Sequence, residues 1–405
     1  MGIAGGPNIL GDENLVFMYD IADTENSYLG EPTTNLASNL GLGGMSGITL
    51  TYLGLDEGWK KYSMSGTFTG GTYPYIMFLQ SITFTGGVSY STQAIVKTNV
   101  LSKFNYFGST GVSYVNQPLT NQGTMVQSTL SDGSSYVARF NFAYTSNATQ
   151  TGYLYTNPIN NTTFVPSTDF VWLKDFQIEQ KDRCTPYTPT SRSISGSLFD
   201  ISANRNTITL TNVSYINGQP SFDGTDDYIN LLTNIQSGFT AATYEFVCYP
   251  TSIPGTGAYR QLYIQETSTW IALYNPSGTP AFGIDLNNGA GWFDNNGGFT
   301  TGARTTSTIT ANKFYHLVFS WSSSTVSVYL NGSLQSTVST LQAANGRQNV
   351  STLGIGTTSR GIGSRYSGAS SNFAGSIPLI RFYNKGLSSQ EVYNNYIIQK
   401  ARFGL

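Results

Sequence analysis

The chain has one histidine, His316, and two cysteines, Cys184 and Cys248, in 405 residues. A single histidine leaves one candidate for a Ser-His-Asp triad, and it stands at the start of an amphipathic strand, where packing is the ordinary use of an imidazole. Two cysteines so far apart are not a disulfide framework, and a chain of this size stabilises itself by burial, so both read as free thiols. Charge is scarce too: charged residues make up 10% of the chain, where ~25% is ordinary. The formal net charge is -2 and there is no Lys/Arg-rich run, so the basic footprint that nucleic acid needs is missing. No apolar run is long enough to span a bilayer, and the opening MGIAGGPNIL has neither the basic segment nor the apolar stretch of a secretory signal. No glycine-rich loop followed by Lys-Ser/Thr offers a phosphate cradle.

Glycine, serine, threonine, asparagine and tyrosine are abundant instead, a mixture that suits many short strands joined by tight turns. Three fragments give that reading detail. In Phe222 to Leu231 (FDGTDDYINL), Gly224 supplies a turn, after which Tyr228 and Asn230 alternate with Ile229 and Leu231 on opposite faces of a strand. In His316 to Leu334 (HLVFSWSSSTVSVYLNGSL), Leu317, Phe319 and Trp321 alternate with polar partners, a Ser/Thr turn leads to Val326, Val328 and Leu330, and Asn331-Gly332 predicts a second hairpin. In Phe373 to Tyr396 (FAGSIPLIRFYNKGLSSQEVYNNY), a strand runs into a short helix. Ser388 and Glu391 have capping-box spacing there, and Val392, Tyr393 and Tyr396 are the expected apolar stripe.

In order and spacing these fragments resemble the laminin-G-like, concanavalin-A-like jelly-roll family over roughly residues 193 to 405. The opening Leu15 to Tyr28 (LVFMYDIADTENSY) resembles the first strand of the same family, but the turn expected soon after it, Leu198 to Asn206 (LFDISANRN), comes only after a long intervening block. The simplest account is an insertion, tolerated because domain termini often lie close together. The expected fold is therefore all-β, with two β-sandwich jelly rolls and a short C-terminal helix: residues 1–34 plus 193–405 form the host, and 35–192 an inserted sandwich with its linker. In the insert, Trp59 to Phe68, Tyr90 to Lys97, Tyr136 to Phe142 and Phe170 to Glu179 read as strands. Its close, Trp172 to Pro189, resembles the last strand of carbohydrate-binding modules common in bacteriophage structural proteins, and Thr188 to Gly196 reads as a linker stiffened by the prolines before it.

Glucanases share the host's fold, so catalysis is the first chemistry to test. A retaining glycosidase needs two carboxyl groups about 5 Å apart, and no E-x-D-x-E run is present. Asp175 and Glu179, four apart on one strand face, would stand roughly 13 Å apart. No catalytic residue is therefore assigned. Asp223, Asp226 and Asp227 could offer hard oxygen ligands to calcium, which many members of the resembled family bind, with Asp20 and Asp200 as further donors; equally, Asp223 and Asp226 could only cap the turn. For a saccharide, the suggestive segment is Trp270 to Phe299, where Trp270, Tyr274, Trp292 and Phe293 mix with amides such as Asn295. Trp59, Tyr73, Tyr75 and Tyr106 are weaker candidates of the same kind.

A lectin-like domain hosting a carbohydrate-module-like domain, in a chain with neither a secretion signal nor a catalytic constellation, points to a non-enzymatic structural protein of a bacteriophage virion. Capsid decoration, head fibre and tail fibre are the places it would fit, after assembly in the host cytoplasm. Scarce charge and frequent tyrosine suit packing against other virion proteins and against further copies of the chain. The partners expected are thus virion proteins, a homo-oligomer and a host-surface glycan, with neither nucleic acid nor membrane, and calcium is the one cofactor in question. A lectin-like adhesin of a bacterial surface and a glycoside hydrolase of the same fold are the alternatives.

Overall fold

The computed structural model describes residues 12–36, 47–69, 76–77, 82–110, 128–129, 136–145, 150–232, 235–236, 238–265, 269–288, 303–322, 324–340, 350, 353, 360–364 and 371–405. The fold is all-β, with antiparallel sheets throughout and, among the described residues, one α-helix, Ser389–Phe403. The chain divides into two compact units, residues 1–31 with 194–405 and residues 32–193.

The first unit is a sandwich of two sheets. One runs in the order Ser214–Ile216, Gln219–Asp223, Ala374–Tyr383, Ala242–Pro250, Tyr315–Ser322, Thr325–Leu330, Ser333–Ser339, with Leu15–Asp20 also pairing to Ala374–Tyr383. The other runs Ile208–Thr211, Tyr228–Leu231, Arg360–Ile362, Tyr259–Gln265, Thr269–Tyr274, Ala281–Leu286. Between them Phe382 gathers Phe17, Tyr244, Phe246 and Tyr263, with ring centroids 4.7 to 5.7 Å away. Offset and edge-on pairs of this kind add to the area they bury.

The larger sheet departs from the expected alternation. Val318 and Ser320 should face water on the pattern of Leu317, Phe319 and Trp321, yet both are buried, as is His316, for which packing is the expected use. The reason is the helix. It lies over the outer face of the sheet and closes a second apolar cluster of Leu15, Met18, Val318, Tyr329, Tyr383, Leu387 and Val392. Thr243 Oγ1 and Ser320 Oγ on the same face bind the backbone before the helix, Thr243 accepting from Leu387 N (2.9 Å) and Ser320 donating to Leu387 O (2.7 Å). A sheet covered on both sides loses its polar stripe.

The helix starts where its capping box predicts: Ser388 Oγ accepts from Glu391 N (3.3 Å), and Glu391 Oε2 accepts from Ser388 N (2.8 Å). Its buried side differs from the expected stripe, being Val392, Asn395 and Gln399, while Tyr393 is 49% exposed. The polar positions are buried because the sheet beneath presents charge. Asn331 and Gly332 both have positive φ, as a two-residue hairpin requires. A Cβ at Gly332 would also lie 2.6 Å from the Tyr396 ring, so the turn seats the helix.

The two stretches that flank residues 32–193 in sequence meet in the first unit. Leu29 N donates to Ser197 O (3.0 Å), Phe199 N to Ser27 O (2.7 Å) and Ile201 N to Met18 O (2.8 Å), and Ser197 Oγ donates to Gly30 O (2.6 Å). The second unit gathers its own ends in the same way. Thr33–Thr34 pairs with Ser191–Arg192, Asn35 Nδ2 donates to Thr188 O (3.0 Å), and Thr188 N donates to Gln177 Oε1 (2.6 Å). Residues 188–192, the first part of the linker expected over Thr188 to Gly196, are therefore tied into this unit by hydrogen bonds. The strands expected in the insert share one sheet, ordered Thr162–Phe164, Trp59–Phe68, Phe170–Glu179, Ser89–Thr98, Tyr136–Thr145, Ser128–Thr129, with Ile48–Asp56 beside Trp59–Phe68. A second sheet holds Ile76–Met77, Gln150–Pro158 and Ile82–Phe84, with Phe104–Thr110 also on Gln150–Pro158. Cys184 and Cys248 are free thiols.

Because Gly30 and Ser197 touch, residues 32–193 should be removable. Replacing them with a short Gly/Ser linker is expected to leave a host unit that unfolds in urea as one cooperative transition. A molten or aggregated product at every linker length would contradict this.

Candidate functional site

The acidic turn is built by the sheet edge beneath it. Phe222 and Asp223 pair with Gly375 and Ala374, and Gly224, at φ +84°, turns the chain so closely over Ala374 that a Cβ would lie 2.9 Å from the alanine methyl. Asp223 Oδ1 accepts from Thr225 N (2.6 Å), Asp227 Oδ2 from Asp223 N (2.7 Å) and Asp226 Oδ2 from Asn212 Nδ2 (2.8 Å). Capping is thus part of what these carboxylates do. The three also bring one oxygen each within 4.8 Å of the others. Asp227 is 2% exposed. Burial pushes its carboxyl up to about 6; the charges of Asp223 and Asp226 add to the rise, and bonds from the backbone of Asp223 and Ser214 oppose it. Asp223 is exposed and Asp226 half-buried; with the buried Asp227 they offer the hard oxygen donors that calcium takes, and an ion there would offset their mutual repulsion.

Asp20 and Asp200 do not join them. Asp20 Oδ1 accepts from Arg402 Nη2 (2.7 Å). The Asp200 carboxylate takes the backbone N–H of Met18, Ser202 and Asn206 at 2.7 to 2.9 Å, fastening the resumed chain to the opening strand.

Trp270 and Tyr274 lie on the strand Thr269–Tyr274, four residues apart and so on one face, and both are half-buried. Tyr259 on the neighbouring strand meets Trp270 edge-on, centroids 4.8 Å apart at 79°. These rings form one partly open aromatic face on the smaller sheet. Trp292, Phe293 and Asn295 lie outside the described residues, as do Tyr73, Tyr75 and the Tyr106 side chain. Trp59 is half-buried, with Lys174 Nζ 5.9 Å from its ring centre.

Two residues that a catalytic reading would need, His316 and Glu179, turn inward, and Asp175 is half-buried. His316 is fully buried and its Nε2 donates to Glu245 Oε1 at 3.1 Å. Asp175 and Glu179 are separated by a bulge between Lys174 and Gln177, with Asp175 at φ +52°. The extra residue shifts the alternation, so a spacing of four does not keep them on one face. Glu179 is buried and accepts from Thr185 N (2.9 Å) and Thr185 Oγ1 (2.5 Å), a structural clasp. No sequence signal marked the bulge, since neither glycine nor proline stands there.

Residues 223–393 match the family described as the concanavalin A-like lectin/glucanases superfamily, laminin-G type. No curated protein matches the chain. Among solved structures it is similar to domain 4 of AbnA, an extracellular arabinanase of Geobacillus stearothermophilus solved in complex with arabinotriose: 18% identity over 50% of this chain and 92% of that one, TM-score 0.35. The binding domain of botulinum neurotoxin serotype D is 15% identical over 52% of this chain and 50% of that one, TM-score 0.36. A pentraxin from Limulus polyphemus is 16% identical over 43% of this chain and 78% of that one, TM-score 0.29. This chain thus spans half the length of the neurotoxin structure. Residues 223–393 are thus similar to that family, and the chain as a whole is all-β.

The raised Asp227 carboxyl sets a sign. Its pKa stands above the unfolded value, so protonation favours the native state, and this contribution is present below the unfolded value of about 3.9 and lost as pH rises to about 6. At neutral pH, calcium should raise the melting temperature of the wild type by binding the native state alone. Asp227→Asn should abolish that rise and flatten the melting profile between those pH values. Identical wild-type melting curves in saturating calcium and in chelator would leave the turn a cap only.

Proposed function

We propose that this chain is a non-enzymatic structural protein of a bacteriophage particle whose lectin-like unit attaches to host-surface glycan. The observation that carries the binding role is the half-buried face of Trp270, Tyr274 and Tyr259 on a lectin-type sandwich. A pyranose ring stacks its apolar face on such rings while neighbouring amides take its hydroxyls. The inward commitment of His316 and Glu179 supports binding without cleavage. Calcium at Asp223, Asp226 and Asp227 is proposed as an accessory that stiffens the turn.

The virion setting is supported by the architecture: a discontinuous host unit with a second sandwich between its parts. Scarce charge leaves surface suited to contact with copies of itself and with other particle proteins. Single sugar contacts are weak, and many copies on one particle multiply them.

Trp270→Ala should lower adhesion of the oligomer or particle to host cells about a hundred-fold or more, and monomer affinity much less, with the melting temperature measured alongside. Adhesion unchanged in a folded variant would reject this face as the site. Release of reducing sugar from host glycans by the purified wild type would reject the non-enzymatic reading, and absence of the chain from purified virions by mass spectrometry would favour a bacterial-surface adhesin.

A further inference from the structure

A cleft of about 710 Å³ opens on the larger sheet beyond the C-terminal end of the helix. It lies within the first unit and shares no residue with the Trp270 face or the acidic turn. One wall carries three half-buried rings in succession: Tyr249 and Phe314 have centroids 4.8 Å apart, and Phe314 and Phe403 5.5 Å. The opposite rim is the Asn217-Gly218 hairpin turn, both residues at positive φ, with Ile216 59% exposed. Asn217, Gln219 and Thr251 also line the cleft, all exposed, and among the described residues none has a side-chain hydrogen bond.

The charges around the cleft select its ligand. Arg402, its one cationic lining residue, already meets Asp20 Oδ1 at 2.7 Å and donates to Gln399 Oε1 at 2.9 Å. The carbonyl end of the helix carries partial negative charge, which disfavours an anion. A wholly apolar occupant would cover the amides and the threonine hydroxyl without satisfying them, which is costly. What remains is a neutral molecule with an apolar face and a rim of hydroxyls, and the volume is in the range of small-ligand pockets.

We infer that the cleft between the Tyr249–Phe314–Phe403 ring series and the Asn217 turn is a second saccharide site, for a neutral hexose unit. The ring face stacks on Phe314 and the hydroxyls bond Asn217, Gln219 and Thr251. This rests on the glycan-binding reading but not on the Trp270 face. Two sites on opposite sheets of one unit would let a single copy hold two sugar units of a branched or repeating glycan.

The test is saturation-transfer NMR on the full chain with neutral oligosaccharides of glucose, galactose, mannose and N-acetylglucosamine, and 3′-sialyllactose as the charged counterpart, each at about 10 mM to reach millimolar sites. Wild type should bind a neutral member. Phe314→Ala, which removes the stacking ring, and Gln219→Trp, which fills the mouth from an exposed position, should each weaken that binding about ten-fold. Trp270→Ala should retain it. If Phe314→Ala fails to fold, Gln219→Trp decides. Sugar binding that is sensitive to Trp270→Ala but indifferent to both cleft variants overturns the cleft and spares the Trp270 face, whereas sensitivity to the cleft variants with binding retained in Trp270→Ala supports the cleft and leaves the Trp270 face to the adhesion test. Binding of sialyllactose alone, or displacement of an apolar dye from the cleft by an aromatic peptide with no sugar competing, also overturns the inference.

Discussion

The first unit depends on one buried carboxylate. Glu245 is fully buried in the middle of the larger sheet, where its Oε1 accepts from Arg381 Nη1 (3.0 Å) and His316 Nε2 (3.1 Å) and its Oε2 from Asn395 Nδ2 (2.8 Å). These partners stand on the two neighbouring strands and on the helix. Burial alone would raise the Glu245 carboxyl; the Arg381 charge, then the bond and charge of His316 and the bond from Asn395, more than offset it, so the group stays below the ordinary carboxylate range. An ion pair of this kind is weak evidence for net stability, but losing one partner leaves the other charged and dry. The helix and the network therefore require each other: without the helix the outer face of the sheet would expose its apolar cluster, and without the network the helix would cover uncompensated charge.

Covering both faces of the sheet settles where binding can occur. The inner face is filled by the rings around Phe382 and the centre of the outer face by the helix. Open chemistry is left to turns, sheet ends and the exposed face of the smaller sheet, as is usual when a rigid scaffold carries recognition on its margins. The acidic turn, the Trp270 face and the cleft beyond the helix are all marginal in this sense. The scarcity of charge has a related meaning, because several of the few charged residues, Glu245, Arg381 and Glu179 among them, are spent inside.

Local chemistry was legible wherever one residue type dictates one geometry. Asn331-Gly332 gave its hairpin, Ser388 and Glu391 their capping box, and Tyr228 to Leu231 their alternation, because each depends on neighbours within a few positions. The outer face of the sheet was not legible. Ser320 and Asn395 look solvated in sequence and are buried in the fold, since their partners are 67 and 150 residues away. The helix stripe departs from its pattern for the same reason: Val392 packs as expected, but Asn395 takes the buried position in place of Tyr393. Of the candidate site, the acidic cluster was readable from FDGTDD, while sequence could not place Asp20 and Asp200, because carboxylates in turns look alike until their donors are known. The rings of the cleft come from residues 249, 314 and 403, and no local pattern joins them.

The claim that Glu245 holds sheet and helix as one body is tested most directly by Glu245→Gln, which keeps the shape and removes the charge. Its contribution is present above the unfolded carboxylate pKa and lost as pH falls through the lower folded value, so the comparison belongs at neutral pH. The account predicts a loss of about 3–5 kcal/mol in urea unfolding, as for other broken buried pairs, with hydrogen exchange speeding up together in Ser389–Phe403 and in Ala242–Pro250. An unchanged unfolding midpoint, or a helix that keeps its protection while the strand loses its own, would contradict it.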